Sequence, residues 1–526
     1  MASRRLLGNG VKVVLQPQRA APVVAFQAWV QVGSADEGPH EVGLAHLHEH
    51  MLFKGTARRG LGEIARAVEA SGGEINAWTS FDSTVYHVVM ASRHRKAGLD
   101  VLADALRSSA FDAGELGREI EVVCEEIKRS LDMPSRRSSK ALFAEAFRVH
   151  PYGRPVIGTE ADVRAHTRER TLAFYRAHYR PSNLVLSAVG DFEEEALLED
   201  LEATFGGAWG LPPPSATATR PAEPPLEELR VRLASEDVKE AHLHLAFPIG
   251  GVRHPDTAAL DVLAMLVGQG DSSRLALEVR RRRGLAKDAS AWAWTPRDAG
   301  LFGVSILAAP ETVERALQET LEVLASMTAG PVEASEVATI QRLIEAEAIY
   351  QRETVQGLAR KLGSYEAVGG GLEREAEYER AVAAVTPASL QEVAARTLRF
   401  DRAVVVGLLP TGSSLTEEAV RACFLGATPR PPRPLPARAL PQAPAPRAPR
   451  PAARPGLTVT RLSSGATLVV QEERSVPLFA VRAAFPGGLR AETPEVNGIT
   501  TLLSRSLTRG TATLDAEAVG HLVDSL

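Results

Sequence analysis

The sequence predicts an α+β fold in which similar domains of antiparallel sheet, flanked by helices, repeat along the chain. Three features carry this prediction. Strand-like apolar runs come in pairs, 11–15 with 23–32 and 74–78 with 84–90, each pair separated by polar, Pro or Gly breaks. Runs with apolar residues at helical spacing, 44–52 and 61–71, lie between the pairs. The plan then recurs. Residues 300–307 with a helix from Thr312 mirror 84–90 with a helix from His94, and 387–398 with 403–409 mirror 168–178 with 184–189.

Taken in order, residues 5–33 read as strand, turn, strand, with Pro22 closing the turn. The helical run 44–52 meets a stop at Gly55, and 61–71 puts Ile64 and Val68 on one face before Gly72 and Gly73 end it. The strands 74–78 and 84–90 follow, then two helices over 95–131, more helix over 138–180 around the loop 150–158, and a closing strand at 184–189. His150, in a His-Pro loop, reads as structural. These elements make a first domain at 1–206. A Pro-, Ala- and Thr-rich stretch at 212–225 reads as a linker, and a second domain follows at 226–426. In its strand 241–247, His242 and His244 alternate onto one face and are expected to be exposed. Residues 427–456, dominated by Pro, Ala and Arg, cannot build a packed core and are expected to run as a polyproline-like connector reaching on the order of 80 Å. A third domain begins at 457 and runs to 526.

At 526 residues the chain exceeds one hydrophobic core, which agrees with several domains. The net charge of −5 is mild, and no basic stripe interleaved with aromatics points to nucleic acid. The basic cluster at Arg280 to Arg283 reads as a solvated helix end. Two cysteines are too few for a disulfide framework and suit a reducing compartment. No run of 18 or more apolar residues is present, so no membrane span is expected. The chain passes early into the strand-like 11–15 without a signal-peptide pattern. The expected location is therefore cytoplasmic, or periplasmic or exported if a leader has been removed.

The chemistry lies in 43–56, GLAHLHEHMLFKGT. On a helix His46 and His50 stack one turn apart, the separation two imidazoles need to share a tetrahedral metal. Glu49 falls beside them, able to take a proton from a metal-activated water without coordinating the metal. The order is H-x-x-E-H. His46, His48 and His50 also read as H-x-H-x-H, which on a strand would put three imidazoles on one face. Leu44, Leu47, Met51 and Leu52 favour the helix, on which His48 turns away from the metal to support a ligand or face substrate. A third ligand is expected from another helix. The stretch 115–128 offers Glu119 and Glu126, seven apart on one face, while Glu115, Glu121 and Glu125 read as solvated and Cys124 as a small buried residue.

With Glu126 standing 76 residues after His50, these residues resemble the pitrilysin/insulinase family of inverted-zincin metallopeptidases, which includes the mitochondrial processing peptidases. The resemblance runs from Gly43 to Thr56 and on through Asn76-Ala77-Trp78-Thr79, His150 to Gly153, Gly158-Thr159, Tyr179 to Asn183 and Gly190-Asp191. It continues in Ser272 to Leu275 and Arg283 to Leu285. It implies half of a metalloendopeptidase clamshell plus the start of a second half, cleaving unfolded peptides with one Zn2+ per chain. By the same resemblance His46, His50 and Glu126 hold the zinc. Glu49 acts as general base and passes the proton to the leaving amine, and Glu119 orients a ligand or tunes the site. Asn76 and Ala77 lie on a sheet edge that takes the substrate as an added strand. In that family an Arg and a Tyr from the final domain of the inactive half stabilise the tetrahedral intermediate. Full activity is therefore expected to need the C-terminal half or a partner subunit, and residues 1–526 alone to bind zinc but cleave peptides poorly.

From 457 the chain aligns on its own start at an offset of 455: Gly10 with Gly465, Glu37 with Glu492, Gly43 with Gly498, Gly55 with Gly510. In this register His46, Glu49 and His50 become Thr501, Ser504 and Arg505, so the third domain is expected to be metal-less and the chain to be part of a longer protein with two similar halves. Two other classes stand beside the peptidase. One is a non-catalytic scaffold or core subunit of the same fold, against which the retention of Glu49 argues. The other is an amidohydrolase with H-x-H on a barrel strand, against which the paired antiparallel-looking strands argue.

Overall fold

A computed structural model describes residues 2–210, 219–429, 457–474 and 476–524. The expected connector at 427–456 lies outside the described residues except for 427–429. The chain forms two units, one of residues 1–341 and 354–432, the other of 342–353 and 433–526.

The first unit holds two sheets of one plan. Strands β1 (Ser3–Leu6), β2 (Lys12–Pro17), β3 (Val23–Val30), β4 (Glu74–Thr79), β5 (Thr84–Ala91) and β6 (Leu184–Gly190) form a sheet in the order β1-β2-β6-β3-β5-β4. Every pairing is antiparallel except β2 with β6. Strands β7 (Arg230–Glu236), β8 (Ala241–Ile249), β9 (Asp288–Trp294), β10 (Gly300–Ala308) and β11 (Val404–Pro410) repeat that order as β7-β11-β8-β10-β9, with β7 and β11 parallel. In each sheet the last strand in sequence is inserted between the first two hairpin-forming segments. The result is the α+β class read from the sequence, antiparallel-rich sheets flanked by helices.

Both faces of the first sheet are covered, which explains why β3 is apolar nearly throughout. Phe26, Ala28 and Val30 face a core shared with helices α1 (Leu44–Met51), α2 (Glu63–Glu69), α3 (Arg95–Ser108) and α4 (Ala113–Leu131). Ala25 and Trp29 face the opposite way, onto Leu358, Ala359 and Leu362 of the helix Val355–Ser364, which follows the second sheet's hairpin in sequence. The exchange is reciprocal. Helix α5 (Pro134–Ala146) leaves the first sheet and packs Leu142 and Ala146 against Ala246, Val404 and Val406 of the second. This corrects the expectation for His244. The ring is nearly enclosed, with Nε2 2.8 Å from Ser138 Oγ on α5 and Nδ1 2.9 Å from Ser305 Oγ, because α5 covers the face on which it was expected to be exposed.

In the second unit β12 (Leu457–Arg461) and β13 (Thr467–Gln471) form an antiparallel hairpin, followed by helices Ile499–Ser506 and Ala516–Asp524. The backbone repeats the first copy: Gly10, Gly43 and Gly55 have φ of 96, 88 and 128°, and Gly465, Gly498 and Gly510 have 86, 93 and 140°. Among the described residues no helix is long and apolar enough to cross a membrane.

Candidate metal centre

Helix α1 is set up at its N-terminus. Gly43 takes the left-handed backbone that the sharp entry requires, and a Cβ there would meet the Ile157 carbonyl oxygen at 2.9 Å. The Glu37 carboxylate accepts from Gly43 N at 2.9 Å and Ala45 N at 2.8 Å, satisfying two donors that the helix itself leaves unpaired. Burial pushes that carboxyl up to about 8, against the pull of the two amides. Leu44, Leu47 and Met51 are buried toward the sheet, which leaves His46, Glu49 and His50 on the opposite side against α4 and β4.

There the imidazoles of His46 and His50 lie 4.8 Å apart between centroids. The Glu126 Oε2 sits 3.8 Å from His46 Nε2 and 3.7 Å from His50 Nε2, and the three ligand atoms are all within 4.8 Å of one another. A zinc with ligands at about 2.0 to 2.1 Å in a tetrahedron needs them about 3.3 to 3.4 Å apart, so Glu126 would approach each histidine by a few tenths of an ångström. The donor chemistry fits as well. Burial, and then the neighbouring His50, hold His46 down to about 3, so its ring is neutral and its lone pair free. Two imidazoles and a carboxylate leave a fourth position open, as a catalytic rather than a structural zinc requires. Glu126, whose side chain is 45% exposed, forms the solvent side.

Around this set, His50 Nδ1 donates to Glu119 Oε2 at 3.1 Å, which leaves Nε2 without a proton and directed at Glu126. Lys54 Nζ lies 2.6 Å from the other oxygen, Glu119 Oε1. Burial acts to raise the Glu119 carboxyl, but the hydrogen bonds from His50 and Lys54 outweigh it and the net shift is downward. Glu49 is held by Thr79, whose Oγ1 donates to Glu49 Oε2 at 2.6 Å. Burial raises the Glu49 carboxyl and the Thr79 hydrogen bond opposes it.

Thr79 ends β4, the outermost strand of its sheet. Two residues back, the Ala77 N–H turns away from β5 and is accepted by Asn76 Oδ1 at 2.8 Å. The edge that Asn76 and Ala77 occupy is thus free of a strand partner, with one outward amide covered by its own neighbour's side chain.

The structure brings His46, Glu49, His50, Glu119 and Glu126 together and puts Asn76 and Ala77 on the adjoining strand. It does not bring His48 to the site. That ring is fully buried, with Nδ1 2.6 Å from Leu44 O, Nε2 2.9 Å from Thr171 O and Phe111, Phe174 and Tyr179 around it, so it is a core group rather than one facing substrate or a ligand. Glu115 is also mostly buried, paired with Arg118, rather than solvated. Thr79 and Lys54 were missed. Both lie inside quoted stretches, but their partners are 30 and 65 residues away and only the packing of α1 against β4 and α4 reveals them.

Residues 12–160 match the family model described as Insulinase (Peptidase family M16), and residues 165–344 match the one described as Peptidase M16 inactive domain. An uncharacterized zinc protease of Streptomyces coelicolor is 30% identical over 396 residues, 74% of this chain and 86% of that protein. A protease of Helicobacter pylori has a similar solved structure, with a TM-score of 0.75 and 26% identity over 78% of this chain and all of that one. The periplasmic protease PqqL of Escherichia coli shares the fold at a TM-score of 0.68 and 21% identity, over 90% of this chain and 56% of that one.

Proposed function

The chain belongs to the M16 peptidase family, and from that premise we propose that it is a zinc-dependent endopeptidase acting on unfolded peptides. One observation supports this above the rest. A half-buried carboxylate, Glu49, is held by Thr79 beside a two-histidine, one-carboxylate set that leaves a position open. Bound zinc would supply a Lewis acid, lowering the pKa of water toward about 7 and polarising the scissile carbonyl. The rest falls to side chains. His46, His50 and Glu126 hold the metal, and Glu119 keeps the proton of His50 on Nδ1. A Glu49 carboxylate oxygen takes the proton of the attacking water and returns it to the leaving nitrogen. The free edge at Asn76 and Ala77 receives the peptide as an added strand, which selects extended chains over folded ones.

In this reading 1–206 is the zinc-bearing domain and 226–426 a structural second domain. Residues 427–456 connect it to a metal-less third copy at 457–526, and a second half of the fold, in the same polypeptide or a partner, completes the active chamber. A reducing compartment such as the cytoplasm suits the two free thiols, Cys124 and Cys423.

The test is cleavage of a fluorogenic unfolded peptide by the zinc-loaded chain, alone and mixed with a polypeptide supplying the second half. Glu49→Gln is expected to keep about one zinc per chain and to lose roughly 100-fold or more in rate, the scale of a missing general base. Zinc bound in full with no cleavage in any mixture would turn the reading to a non-catalytic scaffold of the same fold.

A further inference from the structure

Arg220 lies in the stretch between the two domains, far in sequence from the residues of the metal centre, yet its guanidinium gathers carboxylates from three loops. Nε and Nη2 each lie 3.0 Å from an oxygen of Asp36, in the loop between β3 and α1. Nη1 lies 2.5 Å from Asp82 Oδ1, in the turn between β4 and β5, and 2.8 Å from Asp298 Oδ2, in the turn between β9 and β10 of the second domain. Further hydrogen bonds make the cluster one unit. Tyr152, fully buried, donates from its hydroxyl to Asp82 Oδ1 at 2.8 Å, and Arg297 N donates to Asp82 Oδ2 at 2.9 Å. The pair at its centre is shielded from water, with the Arg220 and Asp82 side chains 11 and 7% exposed.

Both loops that the first domain sends into this cluster lead to Glu49. Asp36 precedes Glu37, whose carboxylate caps α1, the helix that carries Glu49. Asp82 follows Thr79 in the turn that leaves β4, and the Thr79 hydroxyl holds Glu49. At their inner ends the two loops are joined by backbone bonds, Ser34 N to Ser80 O at 3.1 Å and Ala35 N to Phe81 O at 2.9 Å. At their outer ends Arg220 joins Asp36 to Asp82 and fixes both against Asp298. Take the cation away and three carboxylates face one another, so the outer ends are driven apart while the inner bonds hold. The turn then tilts about residues 80 and 81, and Thr79 moves relative to Glu49.

We propose that Arg220 is a positioning residue for Glu49: it holds the loop into α1 and the turn out of β4 together, against the second domain, and so sets the contact between Thr79 and Glu49. The inference rests on the reading of Glu49 as general base. It gives the interdomain stretch and the second domain a part in the chemistry, although neither offers a group to the metal. A guanidinium suits the position and an ammonium does not. Two of its nitrogens pair with Asp36 while the third reaches Asp82 and Asp298, and a single Nζ cannot span all three.

Arg220→Lys is the variant that tests it, because Arg220→Ala would leave the three carboxylates with no cation at all. In the zinc-loaded full chain mixed with a polypeptide supplying the second half, kcat on the fluorogenic peptide is expected to fall about tenfold, with KM and zinc content unchanged. The loss acts through one contact, so it should vanish where that contact is already gone. In a Thr79→Val background, adding Arg220→Lys is expected to change kcat by less than about twofold. Losses that multiply, a loss confined to KM, or no loss would each overturn the proposal. Hydrogen exchange read by mass spectrometry on the zinc-free chain gives a second reading that needs no cleavage. Amides at 80–83 are expected to exchange roughly tenfold faster in Arg220→Lys, with those at 24–30 unchanged. Equal exchange at 80–83, or the same acceleration at 24–30, would make Arg220 a general support of the fold and overturn the proposal. If the parent cleaves nothing in any mixture, the peptidase reading fails by itself, and the exchange at 80–83 decides whether Arg220 fixes the turn.

Discussion

In the proposed zinc site, replacing Glu119 by Gln isolates a single hydrogen bond that would act on the metal through His50. The carboxylate serves two donors, His50 Nδ1 at 3.1 Å and Lys54 Nζ at 2.6 Å, and the amide has only one oxygen to offer them. If that oxygen stays with Lys54, the NH2 faces His50 Nδ1, which must then accept. The ring proton moves to Nε2, the atom 3.7 Å from Glu126 and the one needed by zinc. If the oxygen turns to His50, the Lys54 ammonium is left against the NH2. Either arrangement costs one hydrogen bond to a charged group, about 1.5 to 3 kcal/mol, which is roughly 10- to 100-fold in zinc affinity. Competition with a chromophoric chelator measures this directly, with the thermal midpoint of the zinc-free protein as control. Glu126→Gln is expected to lose far more, because it removes a ligand, and to leave the zinc-free midpoint unchanged, because its side chain is 45% exposed. Zinc affinity of Glu119→Gln within twofold of the parent, with Glu126→Gln still deficient, would refute the tautomer argument.

Thr79→Val removes the hydroxyl 2.6 Å from Glu49 Oε2 and is expected to lower kcat roughly tenfold or more with KM and zinc content unchanged. Thr79→Ser restores the rate, and an effect confined to KM would mean that Thr79 serves only the strand edge. For Glu37, the folded chain holds its proton up to about pH 8, whereas an ordinary carboxyl releases it near 4.5. Between these values folding takes up a proton, so stability falls as pH rises, by up to about 1.4 kcal/mol per pH unit, and levels off above the folded value. Glu37→Gln has no such proton. Its deficit in thermal midpoint is expected to be largest near pH 5 and to shrink toward pH 8, and a deficit constant with pH would contradict the assignment. Leu362→Ala, in the helix Val355–Ser364 that covers the first sheet, is expected to cost about 2 to 5 kcal/mol. The loss should lower one shared unfolding transition for both sheets, and two separated transitions would count against the reciprocal packing.

What the sequence made legible follows the range of the interactions. The helix carrying His46, Glu49 and His50 was readable because its signals are local: a glycine at its entry, leucines at helical spacing, and histidines four apart. Glu119 and Glu126 were readable as a pair because seven residues of helix put them on one side. The misreadings share one physical cause, which is that burial depends on what lands on a face. His48 looked free because nothing near it in sequence says that the helix Arg168–His178 brings Thr171 and Phe174 onto it. His244 looked exposed because the covering α5 precedes its strand by nearly a hundred residues and belongs to the other sheet's run of elements. The pairings Thr79 with Glu49 and Lys54 with Glu119 were invisible for the same reason.

The second unit also serves as an internal control on the first. Its helix Ile499–Ser506 starts from Gly498 at φ 93°, and Glu492 reaches Gly498 N at 2.6 Å and Thr500 N at 3.0 Å, as Glu37 reaches Gly43 and Ala45. Yet Thr501, Ser504 and Arg505 stand where His46, Glu49 and His50 would be. The helix therefore takes its shape from the glycine and the capping carboxylate and not from those three side chains. The pKa values of the two capping carboxylates move in opposite directions: Glu492 is drawn down by its hydrogen bonds to Gly498 and Thr500, while the buried Glu37 is pushed up by desolvation despite its own. In α1 that frame of glycine and cap sets the rings of His46 and His50 one above the other, with centroids 4.8 Å apart. If the proposed set takes up zinc, the side-chain freedom lost on binding is largest for Glu126, which is 45% exposed.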